Sequence, residues 1–253
     1  MILTRQGNKQ RIADKIQEQF PRHRTYIELF FGAGGLFFNK NLSPNNICND
    51  VDCDVSNLWN EVRFNKEDLI KEIKLLPIHD DLWKTYKKQK PIDKTLRAAI
   101  FLMYSNFGYM GKPDSLGFSA SCNYKYMILS KIDKTFDKLK DVLFMNEDFR
   151  NVLNKIKYRN EKEKEDTFIY SDPPYIGTYD YKKGWNEKDV KDCFNVTFNS
   201  GFKGAMSEFN HPFIIEQAKQ RNLNIITIGE RQNMKNRKIE ILITNYENAP
   251  TLF

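Results

Sequence analysis

Residues 25–31, Thr-Tyr-Ile-Glu-Leu-Phe-Phe, form a short apolar run of β-formers that stops at Gly32-Ala-Gly-Gly35. Leu36-Phe-Phe-Asn-Lys40 then resumes a helix-compatible pattern. A strand, a glycine turn and a helix open a βαβ unit, whose strands lie parallel with helices over the sheet faces. The pattern repeats. Asn46–Asn49 reads as a second strand ending at Asp50, with a helix over about 56–64, and Val142–Met145 as a third, leading through Glu147-Asp148 into a helix over about 149–158. Thr167–Tyr170 is a fourth strand and runs directly into Ser171-Asp-Pro-Pro-Tyr175. Gly204–Ser207, Leu223–Ile228 and Lys238–Asn245 follow as strands, the last two forming a hairpin around the basic polar loop 230–237. Ile12–Phe20 is a helix ended by Pro21, and 161–165 is a charged surface connection. The expected fold is α/β with a Rossmann-like sheet.

Such sheets bind ligands at the carboxyl ends of their strands. Glycines at 32, 34 and 35 let the backbone come close to a ligand, although the spacing is not that of the dinucleotide fingerprint G-x-G-x-x-G. A carboxylate at the end of the second strand, Asp50, is placed to accept from ribose hydroxyls, or else to cap the helix that follows; Asp52 and Asp54 compete for either role. Asp148 ends the third strand in the same way and is placed to face the adenine of such a nucleoside, or else to cap the helix that follows. At the fourth strand end, two prolines fix φ and remove two donors, and the residue before a proline is pushed into extended backbone. Asp172 is therefore held stiffly, the neighbouring carbonyls can accept from a ligand, and Tyr175 adds an aromatic face; the bland alternative is a strand-terminating turn.

The net charge of +7 is concentrated: residues 77–140 carry twelve Lys and Arg against six Asp and Glu. Basic charge confined to one interior block suits a module that binds a polyanion, or else a solvated lysine-rich helical face. That block holds helical patches at 80–89 and 94–104, then a glycine-rich aromatic stretch, 106–118. Four scattered cysteines and three isolated histidines form no metal or triad spacing, and Ser207 lacks a nucleophile-elbow pattern. No run of eighteen apolar residues and no signal-peptide core is present, so a soluble intracellular chain is expected.

Phe31-Gly-Ala-Gly34 and Asp172-Pro-Pro-Tyr175, in that order and with the basic block between them, resemble the cofactor and catalytic motifs of the Dam-type DNA adenine methyltransferases. Gly7-Asn-Lys9, Asn49-Asp50, Glu147-Asp-Phe149 and Ile241-Leu-Ile-Thr-Asn-Tyr246 extend the likeness over nearly the whole chain. The resemblance implies a methyltransferase sheet over 1–76 and 141–253 with a small, mostly helical target-recognition domain inserted at 77–140. It implies S-adenosylmethionine as donor, S-adenosylhomocysteine as product, no metal, and the N6 amine of a flipped adenine in double-stranded DNA as acceptor. Cofactor contacts would come from Gly7, Lys9, Glu28, Phe31, Gly32, Gly34, Asp50, Asp148, Phe149 and Asp172, and catalysis from Asp172, Pro173, Pro174 and Tyr175. DNA contacts are expected from Lys84, Lys87, Lys88, Tyr109, Lys112, Tyr181, Arg231, Lys235 and Arg237. Tyr179, Tyr181 and Trp185, interleaved with Lys182 and Lys183, suit a loop over the flipped nucleotide or a structural role. Exocyclic cytosine amines, RNA and a non-catalytic DNA-binding role are the alternatives. The expected setting is the cytoplasm of a bacterial or phage-infected cell, at the nucleoid when on DNA, with oligomeric state (monomer or weak dimer) left open.

Overall fold

The computed structural model describes residues 1–108, 117, 123–176, 185–232 and 237–247, with the side chains at 80, 82, 83, 87, 231, 232 and 237 outside the description. The chain divides into two compact units. Met1–Arg11, Gly32–Asn39 and Asp52–Asn146 make the first, and Ile12–Phe31, Lys40–Val51 and Glu147–Phe253 the second.

The second unit holds six strands, in the spatial order Asn45–Asn49, Thr25–Glu28, Thr167–Ser171, Lys203–Phe209, Arg237–Thr244 and Asn224–Gln232. β1 (Thr25–Glu28) lies parallel to both β2 (Asn45–Asn49) and β4 (Thr167–Ser171), with Thr25 level with Asn45 on one side and Thr167 on the other. β5 (Lys203–Phe209) continues the parallel sheet beside β4. β7 (Arg237–Thr244) then inserts antiparallel between β5 and β6 (Asn224–Gln232). Parallel strands covered on both faces read as unbroken apolar runs, not as alternation, and β4 is buried at all five residues. The helix Glu187–Phe198 packs on β4 and β5 and starts from a capping box between Asn186 and Asp189. Pro212–Gln220 is a second helix of this unit, with proline in its first turn.

The first unit is helical apart from β3 (Leu143–Met145). The helices Asp80–Lys88, Lys94–Phe107, Tyr124–Leu129 and Ile132–Leu139 fall in the basic block, and share their unit with Cys53–Phe64 and Lys66–Leu75. Leu58, Trp59, Val62, Leu69, Ile73 and Leu102 form its core. Asn106 anchors the N-terminal segment: its amide donates to the carbonyls of Ile2 (2.9 Å) and Leu102 (2.8 Å), and its oxygen accepts from the Thr4 hydroxyl (2.8 Å).

Several helices differ in extent from the sequence expectation. The helix ahead of Pro21 is only Ala13–Gln17, and the stretch after the glycine turn is a single 3-10 turn, Phe37–Asn39. The one after Asp148 is Phe149–Val152 followed by a 3-10 turn, because Ile156 goes extended. Residues 161–165, expected as a bare connection, make one helical turn because the Asn160 side chain accepts from the Glu163 N–H at 3.0 Å. No helix among the described residues is long and apolar enough to cross a membrane.

Candidate active site

In the first unit the two glycine motifs lie against each other. Gly7, Gly32 and Gly34 have φ of 86°, 52° and 69°, a region that L side chains rarely adopt. A β-carbon on Gly35 would stand 1.8 Å from Asn8 Oδ1 and 3.1 Å from the Lys9 nitrogen, so only glycine admits that approach. The turn is pinned from below, since Trp59 Nε1 donates to the Gly32 carbonyl at 3.0 Å and Asn39 Nδ2 to the Gly35 carbonyl at 2.6 Å. Above Gly32 a β-carbon would meet nothing within 4 Å. Lys9 is buried, its ammonium 3.5 Å from the Gly7 carbonyl. Arg5 pairs with Asp52 at 3.1 Å.

In the second unit the strand ends are joined by one side chain. Asn49, buried at the end of β2, donates through Nδ2 to the carbonyls of Leu29 and Glu147, each at 3.0 Å, and accepts from the Glu147 N–H at 3.0 Å. Its own carbonyl accepts from the Phe31 N–H at 2.8 Å, and Leu29 N–H donates to the Tyr170 carbonyl at 3.1 Å. Glu28, Asp50, Asp148 and Asp172 are all carried by the segments so joined. Glu28 is 2% exposed and accepts from the Tyr26 hydroxyl at 2.9 Å. Burial pushes its carboxyl up to about 8; the Tyr26 bond and Lys40 oppose this, while the charges of Asp172 and Asp50 reinforce it. Asp50 and Asp172 are thus both within electrostatic reach of Glu28.

The structure separates the acidic candidates. Asp52, not Asp50, caps the helix Cys53–Phe64, accepting from the Asp54 N–H at 2.9 Å. Asp54 is engaged by Lys90 and by Arg97, the latter at 2.6 Å. Asp50 stays half-buried beyond β2. For Asp148 the capping reading holds: it accepts from the Arg150 N–H at 2.9 Å and from its guanidinium at 3.2 Å. Arg150 also binds Asp189 (2.6 Å) and Asp192 (2.7 Å), which fastens the start of the helix Glu187–Phe198. Next to Asp148, Phe149 sets its ring 5.1 Å from Phe30 and 5.6 Å from Trp185. Trp185 also stands edge-on to Phe30 at 5.8 Å, while Tyr179, Lys182 and Lys183 lie outside the described residues.

The fourth strand end is held at both sides. Ser171 shares a hydrogen bond with Thr197 at 2.8 Å. Asp172 is half-buried and Pro173 buried. Tyr175 is 8% exposed, its hydroxyl donates to Glu240, and its ring stands at 80° to that of Phe209 with centroids 4.5 Å apart. Burial, and then the charges of Asp172, Glu240 and Glu208, push the Tyr175 phenol well above its ordinary range. Sequence reasoning misses Glu208, Glu240 and the bridging role of Asn49. A charged residue in the middle of an apolar strand, as in Lys238-Ile-Glu-Ile-Leu-Ile, is the available signal.

Of the expected DNA contacts, Lys84 and Lys88 lie exposed on the helix Asp80–Lys88, Lys84 pairing with Asp81 at 3.0 Å. Tyr109, Lys112, Tyr181 and Lys235, and the side chains of Lys87, Arg231 and Arg237, lie outside the described residues. Among the described residues no group of three or more His, Cys, Asp or Glu could hold a metal ion.

The second unit carries carboxylates at Asp50, Asp148 and Asp172, on an α/β sheet of the kind that takes ligands at its carboxyl edge. Residues 6–246 match the family model of the D12 class N6 adenine-specific DNA methyltransferases, and the chain belongs to that family. It is 24% identical to the type II methyltransferase M1.LlaDCHI of Lactococcus lactis subsp. cremoris, covering 96% of this chain and 94% of that one. It is 28% identical to the DNA adenine methylase of Haemophilus influenzae over 67% of this chain, a match that spans only 61% of that protein. Among solved structures it resembles a Streptococcus mutans protein in complex with SAH, with a TM-score of 0.41 and 6% identity over 94% of this chain and 97% of that one. The chain is an S-adenosylmethionine-dependent adenine-specific DNA methyltransferase, with DNA as its substrate.

Proposed function

We propose that the protein methylates N6 of an adenine flipped out of double-stranded DNA, with Asp172-Pro-Pro-Tyr175 holding the amine. The observation that carries this reading is the electrostatic proximity of Glu28, Asp50 and Asp172 at successive strand ends, beside a turn stiffened by two prolines. The residues fit the donor's chemistry. Gly7, Lys9, Gly32 and Gly34 would hold its methionine part, where buried Lys9 supplies a cation for a carboxylate and the backbone at Gly32 faces open space. Asp50 would accept from the ribose hydroxyls, and Asp148 with Phe149 would border the adenine, with Glu28 and Phe31 lining the same strand end. When bound, S-adenosylmethionine supplies an electrophilic methyl group on a positively charged sulfur.

The chain's own residues supply orientation and acceptors. An aryl amine is a poor nucleophile because its lone pair is delocalised into the ring. Asp172 and the Pro173 carbonyl accept the two amino hydrogens, which draws the nitrogen toward tetrahedral geometry and localises the lone pair. Positioning and electrostatics account for most of the rate. The Tyr175 ring stacks on the base, worth ~1–3 kcal/mol and comparable to the cost of unstacking it. Residues 77–140 serve as the inserted target-recognition domain, with Lys84, Lys87, Lys88, Tyr109 and Lys112 on the DNA backbone and Tyr181, Arg231, Lys235 and Arg237 joining them from the catalytic domain. The enzyme acts in the cytoplasm of a bacterial or phage-infected cell, at the nucleoid.

Incubation of the protein with methyl-labelled S-adenosylmethionine and unmethylated duplex DNA tests the reading: label is expected in adenine, and label in cytosine or in RNA alone would sink it. Replacing Lys84, Lys87 and Lys88 by Ala should lower the salt slope of DNA binding by about one for each lysine that neutralises a phosphate. An unchanged slope places the DNA elsewhere.

A further inference from the structure

Two buried glutamates hold the turn that carries Asp172. Glu240 of β7 is 1% exposed and accepts from the Tyr175 hydroxyl. Glu208 of β5, equally buried, accepts from the Ile176 N–H at 3.1 Å through one oxygen and from the Phe209 N–H at 2.8 Å through the other. Phe209 is the register partner of Glu240 across β5 and β7, and its ring meets Tyr175 edge to face. A carboxylate is costly to bury, and replacing buried polar pairs by apolar side chains is often neutral or stabilising. Two such groups in the strands under one turn therefore suit a task other than stability.

We propose that Glu240 and Glu208 are positioning residues for methyl transfer, clamping residues 175 and 176 so that Asp172 and Pro173 present their acceptors at a fixed angle. The inference rests on the reading of Asp172-Pro-Pro-Tyr175 as the amine-holding turn. Pro173 and Pro174 make its middle a stiff rod, so its tilt is set by its ends. One end is fixed by Ser171 on Thr197, the other by the two glutamates. The Tyr175 phenol remains a donor across the working pH range because burial and the surrounding carboxylates oppose its ionisation.

The test uses the full chain, duplex DNA and four variants. Tyr175→Phe keeps the ring and removes one donated hydrogen; Glu240→Ala removes the acceptor; Glu240→Gln puts an acceptor oxygen back; the fourth combines Tyr175→Phe with Glu240→Ala. A misplaced acceptor predicts kcat lower by roughly ten- to a hundredfold in Tyr175→Phe and in Glu240→Ala, with KM for S-adenosylmethionine within about threefold of wild type. Glu240→Gln should recover to within about threefold of wild type, and the combined variant should be no slower than Glu240→Ala alone. Amide exchange across 171–176 should quicken in Tyr175→Phe. An unchanged kcat in Tyr175→Phe, a Glu240→Gln as slow as Glu240→Ala, or additive losses would overturn the proposal. If Glu240→Ala does not fold, Tyr175→Phe and Glu240→Gln decide it. A wild-type protein that labels no adenine defeats the reading of the turn instead, and unaltered exchange in Tyr175→Phe then removes the clamp separately.

Discussion

Asn49 and Glu147, 98 residues apart in the chain, exchange two hydrogen bonds of 3.0 Å, side-chain amide to backbone carbonyl and backbone N–H to side-chain oxygen. The same amide reaches the Leu29 carbonyl, so one buried side chain ties the exit of β1, the end of β2 and the segment entering Asp148. Asp50 and Asp148, each one residue further along, inherit their placement from this tie.

Exchanging Asn49 for Asp keeps the shape but turns a donor into an acceptor facing two carbonyls. Unsatisfied buried groups and the new repulsion should lower stability by about 2–4 kcal/mol. Binding of S-adenosylmethionine should weaken with it. Thermal unfolding together with titration calorimetry checks both; a variant as stable as wild type would show that the strand ends hold their places without Asn49.

Asp172→Ala should lower kcat by about a hundred- to a thousandfold, the scale seen when a preorganised hydrogen-bonding group is removed from a transition state. Cofactor affinity should stay within a few fold, because the other residues that hold the donor are untouched. Single-turnover kinetics with calorimetry separates the two effects. Surviving activity would mean that another group accepts the amine hydrogens.

Glu28 sets a pH dependence of stability. Its folded pKa of about 8 stands above the ordinary 4.5, so between those values the folded state keeps a proton that the unfolded state releases. Stability from this group is therefore greatest below about 4.5, falls as pH rises to about 8, and is level beyond. Glu28→Gln can still accept from Tyr26 but does not titrate. Its advantage over wild type should grow by up to about 1.4 kcal/mol per pH unit across that window. Denaturant unfolding at pH 5, 7 and 9 measures it, and a constant gap would refute the assignment.

Gly35→Ala drives a β-carbon into Asn8 Oδ1 and crowds the Lys9 nitrogen. Asn8 must leave its place, where it accepts from the Gln10 N–H at 3.0 Å. S-adenosylmethionine affinity should fall by about tenfold or more, since ~1 Å displacements at a positioned site carry costs of that order. Gly201→Ala is the control. Its φ of 82° lies over open space, so it should cost about 1–2 kcal/mol in backbone strain and leave the cofactor unaffected. Equal cofactor effects from both would show that Gly35 matters only for stability.

Much of the parallel half of the sheet is legible in the sequence because short strands buried on both faces appear as apolar runs, as at Tyr26-Ile27 and Phe168-Ile169-Tyr170. The strand ends are legible too, since glycine, Asp50, Asp148 and Asp172 each interrupt such a run. The helix Glu187–Phe198 is not among the expected elements, although Val190, Cys193, Phe194 and Thr197 mark a buried face at helical spacing. The helices after 36 and 149 are shorter than their patterns suggest, because caps and local backbone, not periodicity, end those turns.

Local sequence determined what each strand end offers: a glycine turn after β1, a carboxylate after β2, and Asp172 on a proline-stiffened turn after β4. Those properties depend on neighbours in the chain, through the φ of proline, the freedom of glycine and the apolar run beside them. Only the tertiary structure decided that Asp52 caps while Asp50 does not, that Asn49 binds Glu147, and that β7 enters beside β5 to bring Glu240 under Tyr175. Strand order and register bring together side chains scores of residues apart, and a residue's hydrogen-bond partners are settled by that register, which no local pattern contains.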